Sequence, residues 1–347
     1  MKILRYLLYI FAALLTLFIA FLIYATLSDF RPADKETVYT SSSAYLLQDS
    51  VFTTITWNIG YGGLDHTMDF FYDGGEQVRP GRKQAAANTA CIMETLDSFR
   101  GTDFILLQEV DKDSRRSHHI NQHDSITGRF PGYHSSFGVN YRAGFIPIPL
   151  TSPMGGVHSG LQTLSAYLPG EVVRHSFPGN YSWPMGPFML DRCFLVNRYP
   201  LATGKELLII NTHNSAYDDG SLRSRQMEFL REFILAAYHE GHYVFVGGDW
   251  NQTPHGFVPG FPGQPFDTTD LTYTDPGYPK PGWTWAYDPS IPTNRRVKTP
   301  YTPGETPVTM IDFFLLSPNL ELMEVQGTDL GFRCSDHQPV SIQWKIR

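Results

Sequence analysis

The chain has 347 residues, of which 42% are hydrophobic, 14% aromatic and 18% charged, and it carries a formal net charge of −7. This apolar content excludes a disordered, collagen-like or coiled-coil protein, and the length allows one large α/β domain or two small ones. The acidic balance argues against a sequence-independent binder of long nucleic acid, because such proteins present a basic surface to the phosphates.

The chain begins with a long uncharged segment. Residues 6–27 contain no charge, and as a helix they would extend about 33 Å, enough for a bilayer core of roughly 30 Å. Lys2 and Arg5 precede this segment, and a positive flank predicts a cytoplasmic N-terminus. We predict a cytoplasmic stub at 1–5, then a single-pass transmembrane anchor in the inner (cell) membrane, with the folded domain periplasmic or extracellular. A cleaved signal peptide is the alternative, although its apolar region is normally only about 7 to 15 residues long.

Residues 28–50 are polar and lack periodicity, so we predict a tether between the membrane and a folded domain at 51–347. In that domain, short β-branched or aromatic runs end abruptly in polar residues, which is typical of strands. The predicted strands are Phe52 to Trp57, Phe104 to Leu107, Gln162 to Ala166, Cys193 to Val196, Leu207 to Thr212, Tyr243 to Val246, Ile311 to Leu316 and Val340 to Trp344. These runs are enough for two sheets.

Two helices are predicted between these strands. The first extends from about Arg82 to Phe99 and is stopped by Gly101. The second begins after Ser221 as its N-cap and ends at Gly241. Helices flanked by strands in this way pack as a layer on a sheet.

Residues 254–307 are rich in proline and aromatic residues and predict a long ordered loop region. Trp283 and Trp285 in this region can stack on bases, lie at a membrane interface or pack the loop onto the sheets. The sequence leaves these three alternatives open.

The three cysteines are Cys91, Cys193 and Cys334. They lack metal-type spacing, and an odd number cannot all pair within one chain. One disulfide is compatible with an oxidising compartment, and the sequence does not decide whether Cys193 and Cys334 pair. We favour isolated buried thiols.

Polar residues follow several of the predicted strands at the point where each apolar run stops. They are Asn58, Glu109, His213, Asp249, Asn251, Asp312 and the run Ser335-Asp336-His337. Each alone is commonly a turn cap that satisfies backbone amides. Together they are more informative, because strand ends at one edge of a sandwich can converge on one cleft.

The residue types in this set fit a single chemistry. Glu109 and Asp336 offer hard oxygen ligands suited to Mg²⁺ or Mn²⁺, and the sequence has no Cys/His set of zinc type. His213 and His337 can titrate near neutral pH and so can serve as general acid, general base or phosphate-binding cation.

The order of short motifs resembles the endonuclease/exonuclease/phosphatase superfamily, which includes pancreatic deoxyribonuclease, apurinic endonucleases, inositol polyphosphate phosphatases and neutral sphingomyelinases. The motifs are Thr56-Trp57-Asn58, Leu107-Gln108-Glu109-Val110-Asp111, Ser159-Gly160-Leu161 leading to Ser165, Asn211-Thr212-His213, Gly247-Gly248-Asp249-Trp250-Asn251, Ile311-Asp312-Phe313 and Ser335-Asp336-His337. The resemblance covers residues 51–347. It implies a four-layer α/β/β/α sandwich with two central mixed sheets and a cleft at one edge.

The resemblance also implies a metal site and a nucleophile site. Asn58 and Glu109 would hold Mg²⁺ or Mn²⁺, with Glu109 as the principal ligand and Asp336 as a third. Asp249 would position or deprotonate the attacking water, and Asn251 would hold the phosphate or the nucleophile.

Two histidines would contact the phosphate in this scheme. His337 would bind a phosphate oxygen, with Asp312 accepting its other ring hydrogen. His213 would face the leaving or attacking oxygen as a second phosphate ligand. A metal and two histidines supply the charge neutralisation that phosphoryl transfer requires.

One departure from the nuclease pattern is informative. Nucleases of the deoxyribonuclease type carry a basic residue two places after the metal glutamate, where this chain has Asp111. Five basic residues or histidines lie just downstream, namely Arg115, Arg116, His118, His119 and His123. They can replace the missing contact or form a lesser metal site, but we favour a solvated loop without a specific role.

These observations predict a Mg²⁺-dependent hydrolase of phosphate esters, either a phosphodiesterase or a phosphatase. The predicted anchor, the acidic domain and the aromatic loop favour a lipid or small phosphate ester. The run from Thr212 to Asp218, with Arg223 and Gln226, is similar to the sphingomyelinase and phosphatase branches. A membrane-anchored nuclease and a non-catalytic binding module are the alternatives, and no protein partner is predicted.

Overall fold

The computed structural model describes residues 2–42, 45–216, 220–269 and 271–347. The helices in these ranges are α1 (Lys2–Leu27), α2 (Arg82–Ser98), α3 (Gln122–Arg129) and α4 (Ser221–His239). The strands are β1 (Lys35–Thr40), β2 (Val51–Asn58), β3 (Phe104–Asp111), β4 (His134–Ile146), β5 (Gly155–Ser165), β6 (Glu171–Ser176), β7 (Cys193–Pro200), β8 (Glu206–His213), β9 (Tyr243–Asp249), β10 (Thr284–Ala286), β11 (Asn294–Arg295), β12 (Val308–Thr309), β13 (Asp312–Leu316), β14 (Leu320–Gly327) and β15 (Val340–Ile346).

Two mixed sheets carry the fold. In the described part of the chain, one sheet has seven strands in the order β1-β6-β7-β8-β9-β13-β10, and the other has six in the order β14-β15-β2-β3-β5-β4. Each sheet contains a parallel pair among antiparallel neighbours: β8 with β9 in the first sheet and β2 with β3 in the second. The predicted α/β fold with two central mixed sheets is confirmed.

The inner faces of the two sheets pack directly on each other. Trp344 of β15 stacks on Phe245 of β9 with ring centroids 4.7 Å apart, and Phe104 of β3 contacts Tyr199 of β7 at 5.3 Å. All four rings are buried. Since each fully buried large apolar side chain stabilises the fold by roughly 1.5–3 kcal/mol, this layer holds the two sheets at a fixed spacing.

Helices cover the outer faces of both sheets. Leu230 and Ile234 of α4 pack on the seven-stranded sheet, and Ile92 and Leu96 of α2 pack on the six-stranded sheet. Both predicted helices are present. The N-cap of α4 is Gly220 in the left-handed conformation, so Ser221 is its first helical residue rather than its cap.

The segment 28–50, predicted as a tether, is instead partly folded into the domain. Strand β1 pairs with β6 at the edge of the seven-stranded sheet, and the backbone N–H of Leu47 donates to the Pro200 carbonyl at 2.8 Å. Leu47 is buried in the core between the sheets. The tether interpretation was wrong because an edge strand with few buried side chains has no hydrophobic alternation to detect.

Helix α1 has 26 residues, and its most apolar 18-residue window has a mean hydropathy of 2.6, so by length and composition it could cross a membrane. Most of its side chains are exposed. Its final two turns contact the domain, where Ala25 is buried and Phe21 stacks on Phe188 at 5.8 Å.

A disulfide joins Cys91 in α2 to Cys334 in the segment before β15. The Cα atoms are 5.7 Å apart, within the usual range for a bridge. The expectation of isolated thiols was therefore wrong for these two cysteines, whose proximity depends on the packing of α2 against the six-stranded sheet. Cys193 is free and buried.

Candidate active site

The two parallel strand pairs end at the same edge of the sandwich. Asn58 closes β2 and lies beside Gln108 of β3, while His213 and Asp249 are register partners at the ends of β8 and β9. Since the sheets face each other, the two pairs meet. The Asn58 side-chain amide donates to Asp249 Oδ2 at 3.0 Å, which links the two sheets across the cleft.

Asp249 lies at the centre of the polar contacts at this edge. Its Oδ2 is 3.3 Å from His213 Nε2 and 3.9 Å from His337 Nε2. Its Oδ1 accepts the backbone N–H of Asn251 at 2.9 Å. Asp249 and both histidines are buried, so these groups interact with little screening by water.

His337 is bonded to a second carboxylate. Its Nδ1 donates to Asp312 Oδ2 at 2.8 Å, and its Nε2 lies 3.0 Å from the side-chain amide of Asn294. Burial lowers the pKa of His337, but Asp312 and Asp336 together more than offset this and raise the pKa to about 10. The imidazole is therefore a cation near neutral pH.

The surroundings of His213 shift its pKa in the opposite direction from that of His337. Burial lowers its pKa well below the ordinary value, and the cations Arg192, His337 and Arg116 lower it further. Its Nδ1 is buried and, within the described residues, has no hydrogen-bond partner. The site thus holds one neutral and one charged imidazole, and a neutral ring can accept a proton.

Two residues at this edge adopt the left-handed backbone conformation that favours glycine. Glu109 has φ 55° and lies at a β-bulge, because the pairing of β3 with β5 shifts between Leu107 and Val110. Asn251 has φ 49°, and its side-chain amide donates to the Asn214 carbonyl at 2.9 Å. Such strain persists where the surroundings fix a side chain in a particular direction.

Of the three residues proposed as metal ligands, Asn58 and Glu109 lie near the ends of β2 and β3, and Asp336 lies in the segment before β15. A Cβ at Gly60 would lie 2.7 Å from Asp336 Oδ1, so glycine there lets Asp336 approach the segment after Asn58. The Asn58 side-chain amide lies 3.4 Å from Glu109 Oε1. Burial raises the pKa of Asp336 to about 7, with His337 lowering it and Glu109 raising it. Two carboxylates that disfavour each other's charge fit a divalent cation, whereas the Asn58 amide oxygen accepts the backbone N–H of Gly60 at 3.0 Å.

A second group in the described part of the chain could also hold a metal. Ligand atoms of Asp249, Asp312 and His337 lie within 4.8 Å of one another. The carboxylate of Asp312 is already bonded to His337, and Asp249 accepts from Asn58 and Asn251. These bonds suit a set that handles protons and substrate, and the assignment of the cation to Glu109 and Asp336 stays a prediction.

The loop after β3 is solvated only in part, since Arg115 and His119 are exposed as expected but Arg116 is not. Arg116 is buried, and its Nε and Nη2 donate to the two carboxylate oxygens of Asp111 at 3.3 and 3.0 Å. Its guanidinium lies 3.7 Å from the Tyr61 ring centroid, and its Nη1 is 3.8 Å from Glu109 Oε2. The solvated-loop interpretation was therefore wrong for Arg116, because Asp111 anchors the cation beside Glu109.

Arg192 is a site residue that the sequence analysis missed. It immediately precedes β7, whose start lies at the edge where β8 ends because the two strands are antiparallel. Its Nη1 is buried and lacks a hydrogen-bond partner among the described residues. Burial lowers its pKa, while Glu109 and Asp249 act to raise it. A half-buried guanidinium with one buried, unpartnered donor is suited to a phosphate oxygen.

Other predicted features lie away from this centre. Trp285, in β10, contacts Trp250 at 5.1 Å, and Trp283 contacts Tyr238 of α4 at 5.7 Å, so both indoles pack against the domain. Gln226 of α4 donates to the Ser215 hydroxyl at 2.8 Å. Tyr217 and Asp218 lie outside the described residues.

Comparison with known proteins agrees with this geometry. The model of the Endonuclease/Exonuclease/phosphatase family matches residues 55–337. The chain belongs to this family. Members of this family hydrolyse phosphate esters, and the resemblance seen in the sequence is confirmed. Among curated proteins, none matches the chain.

Solved structures of low sequence identity share the fold. An endonuclease/exonuclease/phosphatase from Beutenbergia cavernae is 17% identical over 86% of this chain and 72% of its own, with a TM-score of 0.54. ANGEL2, a 2′,3′-cyclic phosphatase, in complex with adenosine-2′,3′-vanadate, is 14% identical over 91% and 99%, with a TM-score of 0.55. D. rerio TDP2 complexed with a single-strand DNA product is 15% identical over 86% and 100%, with a TM-score of 0.53.

Proposed function

We propose that this chain is a Mg²⁺- or Mn²⁺-dependent phosphodiesterase or phosphatase that acts on lipid or small phosphate esters at the outer face of a membrane. One observation carries the proposal. Carboxylates, amides, a neutral histidine and a cationic histidine, contributed by both sheets, meet at one edge around Asp249. The shared fold with ANGEL2, a 2′,3′-cyclic phosphatase, supports a phosphate-ester substrate.

The divalent cation, when bound, supplies Lewis-acid charge neutralisation at a phosphate oxygen. Glu109 and Asp336 would hold it, and Asn58 would join them with its amide oxygen turned away from the Gly60 N–H. Binding there would favour the charged form of Asp336, whose pKa burial raises to about 7.

The remaining side chains have distinct roles in the proposed reaction. Asp249 orients the attacking water and accepts its proton as the new P–O bond forms and the bond to the leaving oxygen breaks. Asn251 and the neutral His213 bind substrate on either side of Asp249. The charged His337, kept protonated by Asp312, donates to a phosphate oxygen, and Arg192 donates to another.

Two features support the location. Lys2 and Arg5 flank the apolar helix on its N-terminal side, which favours a cytoplasmic N-terminus. The domain beyond it contains the Cys91–Cys334 disulfide, and disulfides form and persist in oxidising compartments such as the periplasm.

A membrane-anchored nuclease is the second candidate, and Arg116 favours it. This buried guanidinium, paired with Asp111, lies 3.8 Å from Glu109 Oε2 and so keeps a cation next to Glu109. A non-catalytic binding module has the least support, because the polar set at the site is intact.

The test uses the full chain in detergent with Mg²⁺, supplied in parallel with supercoiled plasmid, bis(p-nitrophenyl) phosphate and phospholipid vesicles. We expect EDTA and His213→Ala each to reduce hydrolysis by orders of magnitude. Plasmid nicking that the variant loses would favour the nuclease, whereas intact plasmid with cleavage of the other substrates supports our proposal. Binding without any product would indicate a non-catalytic module.

A further inference from the structure

Two loops on the side of the domain next to α1 expose large apolar side chains. Ile148 and Leu150, between β4 and β5, are 37% and 85% exposed, and Phe145 at the end of β4 is 37% exposed. Trp183 and Met185, between β6 and β7, are 64% and 49% exposed. We call these five residues the loop patch.

The loop patch lies level with the last turns of α1. Phe21 contacts Phe145 at 6.2 Å, and the Trp183 indole N–H donates to the Thr26 hydroxyl at 3.2 Å. Phe21 precedes the end of α1 at Leu27 by six residues, which is about 9 Å along a helix axis. If α1 spans the bilayer and leaves it at Leu27, the domain residues that contact Phe21 therefore lie at the depth of the membrane, not above its surface.

The charge around the loop patch suits a lipid surface. No Asp or Glu occurs at residues 125–170 or 172–190, and of the two acidic residues near the end of α1, Asp29 and Asp191, burial raises the pKa of Asp191 to about 7. Arg142 lies beside the patch, with its guanidinium 5.6 Å from the ring of Phe30 just beyond α1. Tryptophan and arginine next to apolar side chains are typical of membrane-interface segments, and anionic lipids attract such cations.

We propose that the loop patch inserts into the outer leaflet beside α1, so that the domain contacts the bilayer directly and not only through its helix. This inference rests on the proposed function in one respect, namely that α1 spans the membrane. The occupant of the patch is the lipid interface, because the patch is continuous with the end of the apolar helix.

Insertion of these loops also places the active site close to the lipid head groups. Phe188, which stacks on Phe21, precedes Arg192 by four residues, a distance of at most about 14 Å. The Tyr141 hydroxyl donates to the Phe188 carbonyl at 2.8 Å, and the Tyr141 ring lies 5.9 Å from the Arg116 guanidinium. The loop segment that meets α1 therefore ends at the site, and the substrate class that this arrangement serves is a phosphate ester of a membrane lipid.

The experiment places an environment-sensitive NBD label on a cysteine introduced by Leu150→Cys. The matched control carries the label at Val258→Cys. Val258 is also apolar and is 75% exposed, but it lies in the 254–307 loop region. Cys193 is buried and the other two cysteines are paired, so the label reports the new position. The labelled full chain is reconstituted in phosphatidylethanolamine/phosphatidylglycerol vesicles with and without nitroxide-labelled acyl chains. We expect at least twofold stronger quenching at position 150 than at position 258.

Other outcomes separate this proposal from the proposed function. Equal, weak quenching at both positions in a chain that resists alkaline carbonate extraction would overturn insertion and leave the anchor intact. A blue-shifted but unquenched label at position 150 would mean that a second protein copy covers the patch, and would also overturn insertion. If alkaline carbonate extracts the chain from the vesicles, both the membrane anchor and the insertion of the loop patch are overturned. If position 150 is strongly quenched but no metal-dependent hydrolysis occurs, only the proposed enzymatic function is overturned.

Discussion

Asp312 Oδ2 accepts a hydrogen bond from His337 Nδ1 at 2.8 Å, and this bond joins the two sheets. Asp312 is the first residue of β13 in the seven-stranded sheet, and His337 lies just before β15 in the six-stranded sheet. The direction of the imidazole is therefore set by the spacing between the sheets, which the buried aromatic rings between them maintain.

Replacing this carboxylate should weaken the site without unfolding it. Asp312→Asn keeps the shape of the side chain but removes the charge that raises the pKa of His337. We expect the His337 pKa to fall by more than one unit and kcat to fall by about 10- to 100-fold, as for loss of a group that orients an imidazole. NMR titration of the imidazole in metal-free protein measures the first effect, and an unchanged His337 titration would contradict our interpretation.

Arg192 should contribute to substrate binding rather than to stability. Its Nη1 has no hydrogen-bond partner among the described residues, so Arg192→Met removes the charge without taking a partner from that atom. We expect kcat/KM for bis(p-nitrophenyl) phosphate to fall by about 100-fold, with Tm unchanged or higher, because a charge-assisted bond to phosphate is lost. Arg192→Lys, which keeps the charge, should recover part of the activity. Wild-type kinetics in the Met variant would remove Arg192 from the site.

The Asp111–Arg116 pair should matter to both stability and metal binding. Its side chains are 0% and 7% exposed, and breaking a buried pair from one side typically costs about 3–5 kcal/mol. We expect Asp111→Asn to lower the free energy of unfolding by about 3 kcal/mol and to weaken Mn²⁺ binding measured by calorimetry, since Arg116 then turns toward Glu109. In Asp111→Asn/Arg116→Met, stability should partly return. Strictly additive effects of the two substitutions would argue against the pairing.

Much of the site could be predicted from the sequence because parallel strands end at one edge. Asn58, His213 and Asp249 each follow an apolar run, and the polarity of the two parallel pairs brings them together. Arg192 follows a different rule: it precedes its strand, and only the antiparallel pairing of β7 with β8 brings it to the same edge. No local pattern carries that information.

Other features depended on tertiary packing for the same reason. A buried Arg116 cannot be distinguished by composition from a solvated basic loop, since its burial depends on Tyr61 and Asp111 closing around it. Strand β4 was also missed, because its sequence contains serines, glycines and an arginine, and its burial depends on pairing with β5.

The disulfide should stabilise the catalytic loop as well as the fold. Cys334 is directly followed by Ser335, Asp336 and His337, and it is bonded to Cys91 across 243 residues of sequence. Removing a native disulfide typically costs about 2–5 kcal/mol. We expect Cys91→Ser/Cys334→Ser to lower Tm by several degrees and to reduce activity at 25 °C more than Cys193→Ser does. Equal activity in both variants would show that the bridge supports the fold alone.

His175 should make the fold sensitive to acid. It stacks on Phe194 at 4.9 Å, and burial, with Lys35 and Arg198, lowers its pKa to about 4. A lowered histidine pKa stabilises the folded state above the unfolded pKa of about 6.5, and this contribution is lost as the pH falls toward 4. Between pH 7 and pH 4, the free energy of unfolding should therefore fall by roughly 2–3 kcal/mol less in His175→Phe than in the wild type, since one pKa unit is worth about 1.4 kcal/mol. Parallel curves of unfolding free energy against pH would disprove this.

Strand β15, residues 340–346, lies between β14 and β2 in the middle of its sheet. During synthesis, β2 is therefore completed about 280 residues before its antiparallel partner β15. The segment that carries Asp336 and His337 is fixed only when β15 docks and Cys334 reaches Cys91. In a nascent chain the candidate site is therefore unassembled, and it closes only once the last strand of the sheet is in place.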